Sequence, residues 1–130
     1  MLITSIPQYI QGVTNAKLDL TTTDLTTLFT VPSDADFNAA IVSSILVCDD
    51  SNNGDNITVT LVDASSNIFV LFDSKAVSGH ATIELLTRDL ILQSGEVLKV
   101  QAATANRLHV VASIQELSKT RVTTSALSRI

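Results

Sequence analysis

The chain has little of several residue types on which common functions depend. Its 130 residues include one cysteine, no tryptophan, one tyrosine, four phenylalanines and only 16% charged side chains. The single Cys48 excludes a disulfide scaffold. The net charge of −5 argues against nucleic acid as a partner, because phosphate backbones bind basic surfaces. Sites that stack on sugars or bases usually need aromatic rings, which are scarce here.

Long hydrophobic runs and an N-terminal basic region are also missing. No uninterrupted apolar run reaches the roughly 18 residues of a membrane span, so we expect no membrane partner. The first positive charge is Lys17, which argues against a secretory signal. We therefore expect synthesis and folding in a reducing cytosol, where the sequon Asn56–Thr58 is a chance match.

Short runs of alternating apolar and polar residues fill the centre of the chain, and turn residues separate them. This pattern is typical of strands. No internal segment combines the apolar spacing of an amphipathic helix with good helix formers. The sequence therefore predicts an all-β fold, an antiparallel two-sheet sandwich or jelly roll of about eight strands with extended arms at both ends. The expected strands are Ala16–Leu20, Leu25–Val31, Asn38–Cys48, Ile57–Leu61, Ile68–Phe72, Thr82–Leu86, Leu90–Leu92, Val97–Ala102 and Leu108–Ile114.

The two ends of the chain differ in charge from its centre. Residues 1–13 carry no charged side chain, whereas the last thirteen residues carry three cations and no acid. The first 117 residues hold five basic and thirteen acidic side chains, so a tail of +3 follows a body of −8. We predict an N-terminal arm at 1–15, a β-sandwich domain at 16–117 and a basic tail at 118–130. The residues expected to contact partner subunits are Leu2, Ile3, Ile6, Tyr9, Ile10, Lys119, Arg121 and Arg129.

Two of the expected strands are apolar on both faces. They are Asn38–Cys48 and Ile68–Phe72. Such a strand is covered on both sides, or on one side by a neighbouring subunit. An uncovered patch of this kind is larger than a monomer usually shows. We therefore predict a homo-oligomer, with a homotrimer as the first choice.

The side chains with catalytic potential are few. A serine hydrolase would need a serine beside His80 or His109, but the Gly-x-Ser-x-Gly signature is missing. His109 alternates with the apolar face of its strand, so it is expected on the surface or in an interface, and His80 is expected in a turn. Cys48 precedes Asp49 and Asp50, whose charges disfavour a thiolate, so a buried structural cysteine is expected. We predict neither an enzyme nor a cofactor.

The acidic loop 49–56 is the best candidate for a metal site. Calcium prefers clustered carboxylates, and an EF-hand loop needs glycine sixth and glutamate twelfth. Counting from Asp50, Gly54 is fifth and an aliphatic residue is twelfth, so that motif fails. Asn53-Gly54 between alternating segments favours a hairpin turn. We predict a hairpin tip without tight metal binding, and keep as weak calcium candidates Asp49, Asp50 and Asp55.

Several strand segments carry a resemblance beyond their alternation. They are Leu28–Pro32, Ile41–Cys48, Thr58–Asp63, Glu84–Leu86, Leu90–Leu92, Gly95–Ala102 and His109–Ile114. Together they resemble a family of small β-sandwich virion structural proteins of tailed bacteriophages. The resemblance implies a capsid decoration, neck, baseplate or tail-accessory subunit, made in the host cytoplasm and located in the virion, with itself and other virion proteins as partners. It implies no catalytic residue.

Two other classes of function stay open. Jelly rolls also serve as lectins, so a carbohydrate-binding adhesion module is the alternative, weakened by the lack of tryptophan. A small hydrolase is the third possibility. A structural subunit needs no active site, only weakly charged strand faces that can be buried without desolvating many charges.

Overall fold

The computed structural model of the chain describes residues 9–33 and 37–118. Over these residues it contains nine β-strands and no helix, and therefore no helix that could span a membrane. The strands are β1 (Tyr9–Leu20), β2 (Thr26–Thr30), β3 (Phe37–Asp49), β4 (Asp55–Val62), β5 (Ile68–Val77), β6 (Thr82–Glu84), β7 (Leu90–Gln93), β8 (Val97–Ala102) and β9 (Leu108–Ser118).

The strands form two antiparallel sheets. The first has the order β1-β9-β3, and β6 and β7 share the far edge of β3. The second has the order β2-β8-β4-β5. This is the strand order of a jelly roll when β6 and β7 are counted as one interrupted strand. The predicted antiparallel two-sheet sandwich is confirmed; the described residues form nine strands, or eight when β6 and β7 are counted as one.

The core lies between the two sheets and follows the alternation of the strands. In β8, Leu98, Val100 and Ala102 are buried, and the residues between them are half-buried. Successive side chains of a strand point to opposite faces, so one face of each sheet closes against the other. Each fully buried aliphatic side chain contributes about 1.5–3 kcal/mol. The largest of the fully buried side chains include Ile45, Ile57, Leu92, Leu98, Leu108 and Ile114.

The first strand is longer than the sequence predicts. It begins at Tyr9 rather than Ala16 and pairs with β9 along its length. Residues 9–15, which were assigned to the N-terminal arm, therefore belong to the sheet. Alternation does not reveal this part because β1 is an edge strand held by backbone pairing, and Val13 is 75% exposed. The rest of the arm, residues 1–8, and residues 119–130 of the tail lie outside the described residues.

The loop after β3 is not the hairpin tip that the Asn53-Gly54 pair predicts. The strands on either side of it, β3 and β4, lie in different sheets, so the loop carries the chain across the sandwich. Gly54 has the positive φ of 73° that such a turn needs. A local turn signal specifies backbone dihedrals but does not specify which strand the chain joins next.

The first and the last described residues of the chain lie at the same end of the sandwich. In the first sheet, Ser118 lies opposite both Tyr9 and Phe37. In the second sheet, the register aligns the end of β2 at Thr30 with the start of β5 at Ile68. A short connection joins Thr30 to Phe37, so these points lie at the same end, which we call the terminal end.

The sandwich also has two distinct sides. Strands β1 and β2, at one edge of each sheet, are in contact with one another. At the opposite edges, β5 lies beside β3 and beside the connection between β6 and β7. We call these the β1 side and the β5 side. Tyr9, where the described chain begins, lies on the β1 side at the terminal end.

Candidate functional site

The most prominent surface feature is an apolar strip at the start of β5. Ile68, Phe69, Val70 and Leu71 are 68%, 51%, 54% and 36% exposed. Because neighbours in a strand point to opposite faces, exposure of all four means that both faces of β5 are uncovered there. We call these four residues the β5 strip. Contiguous apolar surface of this kind marks an interaction site more often than scattered apolar residues do.

An apolar cleft continues the β5 strip. Leu71 and the adjacent Phe72 line it together with three leucines of the connection around β6 and β7, and its volume is about 350 Å³. These leucines are Leu85, Leu86 and Leu90. Arg88 and Asp89 also border the cleft, and their opposite charges leave it without net charge. A partner without charged side chains suits this surface, because it would leave no charge unpaired on burial.

The backbone of β5 limits how a partner can bind there. The pairing of β4 with β5 shifts register twice, around Val59. Ser74 has a positive φ of 51°, and its amide donates to Oγ1 of Thr58 at 3.1 Å. Bulges twist an edge strand and oppose the addition of a further strand. Only Ile68–Val70 precede the first shift and keep a regular register with β4, so the β5 strip offers mainly side chains, and only a short row of backbone groups, to a partner.

A carboxylate supports the interrupted edge of β3. Strand β7 pairs with residues up to Val42 and β6 with residues from Leu46, which leaves the segment between them without a partner strand on the edge that faces away from β9. Glu84 fills this position: its carboxylate accepts hydrogen bonds from the amide of Ile45 at 2.7 Å and from the hydroxyl of Ser44. A third bond comes from the amide of Leu86 at 3.2 Å.

These contacts decide the ionisation of Glu84. Burial raises the pKa of its carboxyl group, but the hydrogen bonds from Ser44 and from neighbouring amides outweigh burial, so the net pKa lies below the ordinary value. A carboxylate that accepts several amide bonds is stabilised in its charged form. Sequence reasoning missed this role, because nothing around Glu84 in the sequence marks the gap in the sheet that it fills.

A second polar cluster surrounds His109 on the outer face of the first sheet. Its Nε2 lies 2.7 Å from Oδ2 of Asp50, and its Nδ1 lies 3.2 Å from Oδ1 of Asp19. Asp19 belongs to β1 and Asp50 follows β3, so the imidazole joins the strands on either side of β9. The hydrogen bond to Asp50 raises the pKa of His109; burial opposes this, and the charges of Asp50 and Asp19 raise it further, so it lies above its ordinary value.

The His109 cluster does not have the arrangement of a hydrolase. The expected outward position of His109 agrees with the structure. Both ring nitrogens already face carboxylates, so neither is free to activate a serine hydroxyl. His80 lies in a turn, as expected, with a positive φ of 57°.

The three aspartates of the acidic loop have separate partners. Asp49 is buried at the inward end of β3, and its Oδ1 accepts bonds from the amide of Ser51 at 2.7 Å and its hydroxyl at 2.6 Å. Asp50 pairs with His109, and Oδ2 of Asp55 accepts the amide of Thr104 at 3.0 Å. In the described part of the chain, no three histidine, cysteine, aspartate or glutamate side chains are grouped for a metal ion.

Asp49 is buried at this end of β3, whereas Cys48, which was expected to be buried, is not. The inward face of β3 at this end carries Val47 and Asp49, so Cys48 lies on the outer face and is partly exposed. The expectation of a buried cysteine was therefore wrong. The apolar residues around Cys48 lie on both faces of the strand, so composition alone does not show which face is inward.

The residues expected to contact partners are described only in part. Tyr9 and Ile10 lie in β1, opposite Ser118 and Leu117 of β9. Their side-chain burial is not described, so their role in an interface stays a prediction. The other members of the set lie outside the described residues: Leu2, Ile3, Ile6, Lys119, Arg121 and Arg129.

A polar cleft of about 280 Å³ lies along the second sheet. Its polar lining residues carry hydroxyl or amide groups and no charge; they are Thr23, Asn56, Thr58, Ser74 and Gln101. Nε2 of Gln101 donates to the carbonyl oxygen of Thr23 at 2.9 Å. This is the feature that bears on the alternative of a carbohydrate-binding module.

Comparison with known proteins shows the fold. No family model and no curated protein matches the chain. A chain from the structure of infectious bursal disease virus, Gx strain, superposes with a TM-score of 0.50 and 10% identity, over 82% of this chain and 32% of that one. At this identity, the likeness shows a shared fold and nothing further.

Two phage structures were also found. The acid-stable capsid structure of Helicobacter pylori bacteriophage KHP30 gives a TM-score of 0.48 and 13% identity over 85% of this chain and 91% of that one. A pentameric capsid protein from metagenomic phage sequences gives 0.43 and 14% over 80% and 62%. This chain thus spans less than two thirds of the pentameric capsid chain and about a third of the bursal disease virus chain.

Proposed function

We propose that this chain is a non-enzymatic structural subunit of a bacteriophage particle. It assembles with copies of itself, with a homotrimer as the first choice, and contacts other virion proteins as a capsid decoration or as a neck, tail or baseplate accessory. The observation that carries this proposal is the β5 strip with its adjoining cleft, an uncovered apolar surface on a jelly-roll sandwich. The resemblance of the strand segments to virion proteins supports it.

The energetics call for more than one contact. Each half-exposed side chain of the β5 strip contributes about 1 kcal/mol when it is covered, while association itself costs about 4–15 kcal/mol. The strip alone is therefore too small to hold two copies together. Further apolar surface on the outer face of the first sheet, at Leu46 and Ile91, adds to it.

The chain ends supply the remaining contacts in this proposal. The uncharged residues at the N-terminus can bury apolar side chains against a neighbour. The basic tail, which includes Lys119, Arg121 and Arg129, is attracted to the acidic body of another subunit. Exposed charges are screened over about 8 Å at physiological ionic strength, so the tail contact weakens as salt is added.

Two measurements test the proposal. Light scattering on the full chain should give a mass that is a multiple of 13.8 kDa, and about three times that mass for a trimer. Mass spectrometry of purified particles, from a lysate of the phage that carries the gene, should find the chain at constant stoichiometry to the other virion proteins. A stable monomer at micromolar concentration, or a chain found in the lysate but missing from purified particles, would contradict the proposal.

A carbohydrate-binding adhesion module is the second candidate, and the polar cleft favours it. Its hydroxyl and amide groups can hydrogen-bond to sugar hydroxyls, although it has no aromatic platform. A glycan array probed with the wild-type chain, with and without a chelator, tests this candidate. Binding that is lost in Asn56→Ala and Gln101→Ala, and retained in Asn67→Ala outside the cleft, would support it over the structural role.

A further inference from the structure

The β5 strip has a complement in the chain itself. We infer that residues 1–8 of one copy cover the β5 strip of an adjacent copy, so that the subunits are joined head to tail. This inference rests on the proposed homo-oligomer and adds the occupant of the strip and the direction of the contact. It follows from the chemistry of the two surfaces, from their places in the fold and from the length of the segment.

The chemistry of the strip selects the N-terminal segment over the C-terminal tail. Residues 1–8 contain Leu2, Ile3 and Ile6 and no charged side chain. The strip is uncharged, and the charges of Arg88 and Asp89 at the cleft cancel. The tail carries three cations, and burying them there would leave them without counterions. An uncharged apolar segment can be covered without that penalty.

The positions of the two surfaces bring them to the same end of the molecule. Tyr9, which follows residue 8 in the sequence, lies at the terminal end, on the β1 side. The β5 strip begins at Ile68, also at the terminal end but on the β5 side. Strands are about 4.8 Å apart and sheets about 10 Å apart. Three strand spacings and one sheet spacing therefore separate the start of β1 from the strip by roughly 17 Å.

This separation favours a neighbouring copy over the same copy. Eight extended residues reach about 26 Å. Within one copy, about 17 Å of this reach is needed to cross the terminal end, so Ile6 would lie over that end and only the first residues would reach the strip. Between two copies with the β1 side of one against the β5 side of the next, the segment starts beside the strip. Its apolar part, Leu2–Ile6, then matches the length of the four-residue strip.

This arrangement of contacts is compatible with a closed ring of subunits. The start of β1 and the strip lie on opposite sides of one subunit, so in this arrangement each subunit gives one contact and receives another. Such heterologous contacts close into a ring when the rotation between subunits allows it, and a trimer is one such ring. Because the register shifts of β5 leave only Ile68–Val70 as a regular edge, the segment is held mainly by side chains that enter the cleft, rather than by a long added strand.

Cysteine cross-linking tests the contact directly. In the full chain with Cys48→Ser, one protein carries Ile3→Cys and a second carries Phe69→Cys. Mixed and mildly oxidised, they should give a covalent dimer that contains one chain of each kind. The matched control replaces Phe69→Cys with Leu25→Cys, because Leu25 is also an exposed apolar residue, at 42%, but precedes β2 at the opposite end of the sandwich. The control pair should give at most a tenth of the product.

Affinity supplies a second measurement. Phe69→Ser and Ile3→Ser should each raise the dissociation constant of the oligomer about tenfold. Because both substitutions remove the same contact, the dissociation constant of the double variant should not exceed that of the single variant with the larger increase. Leu25→Ser should change it less than about twofold.

The outcomes separate this inference from the proposed function. An oligomer in which the Ile3→Cys protein links to the Phe69→Cys protein no better than to the Leu25→Cys control overturns the inference and leaves the structural role standing. An oligomer whose affinity is unchanged by Phe69→Ser also overturns it. A wild-type chain that is monomeric at micromolar concentration overturns both.

Discussion

Replacing Glu84 tests whether one carboxylate holds the interrupted edge of β3. In Glu84→Gln the side chain keeps its length but loses its charge and one acceptor oxygen. With the side-chain oxygen of glutamine at the Oε2 position, the amides of Ile45 and Leu86 keep their acceptor. The new NH2 group then faces the hydroxyl of Ser44, which loses its acceptor on residue 84, and the two amide bonds lose the negative charge that strengthens them.

The contacts set the size of the effect. A hydrogen bond to a charged group contributes about 1.5–3 kcal/mol, and the exposure of Glu84 reduces this because water can replace part of the contact. We expect Glu84→Gln to lower the free energy of unfolding by about 1–2 kcal/mol. For a chain of this length, that corresponds to a fall in Tm of about 4–7 °C.

The lowered pKa of Glu84 predicts how the stability difference between wild type and Glu84→Gln changes with pH. Because the folded-state pKa of Glu84 is lowered, its contribution is present above the ordinary pKa of 4.5 and is lost as the pH falls through the folded value. Urea unfolding at pH 7 and pH 3 should therefore show a difference between wild type and Glu84→Gln that shrinks at the lower pH. The control is Glu96→Gln, since Glu96 accepts one amide bond, from Gln93 at 2.7 Å. A loss in Glu84→Gln no larger than in this control, or one unchanged at pH 3, would refute the reasoning.

Three further predictions concern other parts of the molecule. Because the pKa of His109 is raised, its contribution to the free energy of unfolding is present below the ordinary value of 6.5 and is lost as the pH rises through the folded value. Urea unfolding should therefore show His109→Gln to be more destabilising at pH 5 than at pH 9. The reverse order would contradict a stabilising role for the His109 cluster. Gly54→Ala should cost about 1–2 kcal/mol in thermal unfolding, because the φ is +73° and the new Cβ would lie 3.2 Å from the carbonyl oxygen of Val77; Gly12→Ala, whose Cβ would lie 4.0 Å from Glu116, is the control and should be nearly neutral. Calorimetry should detect no micromolar calcium binding at Asp49, Asp50 and Asp55, and binding that Asp50→Asn abolishes would prove this expectation wrong.

The sequence anticipated the strands well where one face of a strand is buried. The segment Val97–Ala102 was expected as a strand, and β8 has the same bounds. The reason is physical: a period of two in the side chains is the direct consequence of burying one face of a pleated strand. The edge strand β1 escaped this reasoning before Ala16, because backbone pairing to β9 holds residues whose side chains need not be buried.

The sequence predicted that the chain has an apolar surface in need of a partner, but it did not predict where on the fold this surface lies. The sequence showed that Ile68–Phe72 is apolar on both faces and needs cover. Only the order of the strands shows that this segment lies at the edge of the second sheet, where Ile68–Leu71 stay exposed while Phe72 packs against the core. Composition reports that cover is needed, whereas the position of a strand in its sheet decides which part of its surface stays open.

What the sequence by itself determined is therefore the fold class, most of the strands and the lack of a recognised catalytic or metal motif, because these depend on residue types and on spacing along the chain. The tertiary structure alone decided the pairing of strands, the crossing of the loop at Asn53-Gly54 and the two polar clusters. Asp19, Asp50 and His109 meet on neighbouring strands, and Glu84 reaches Ile45 across the edge of a sheet. Such contacts join residues far apart in sequence, and the physical reason that no local pattern predicts them is that only the pairing of distant strands brings them together.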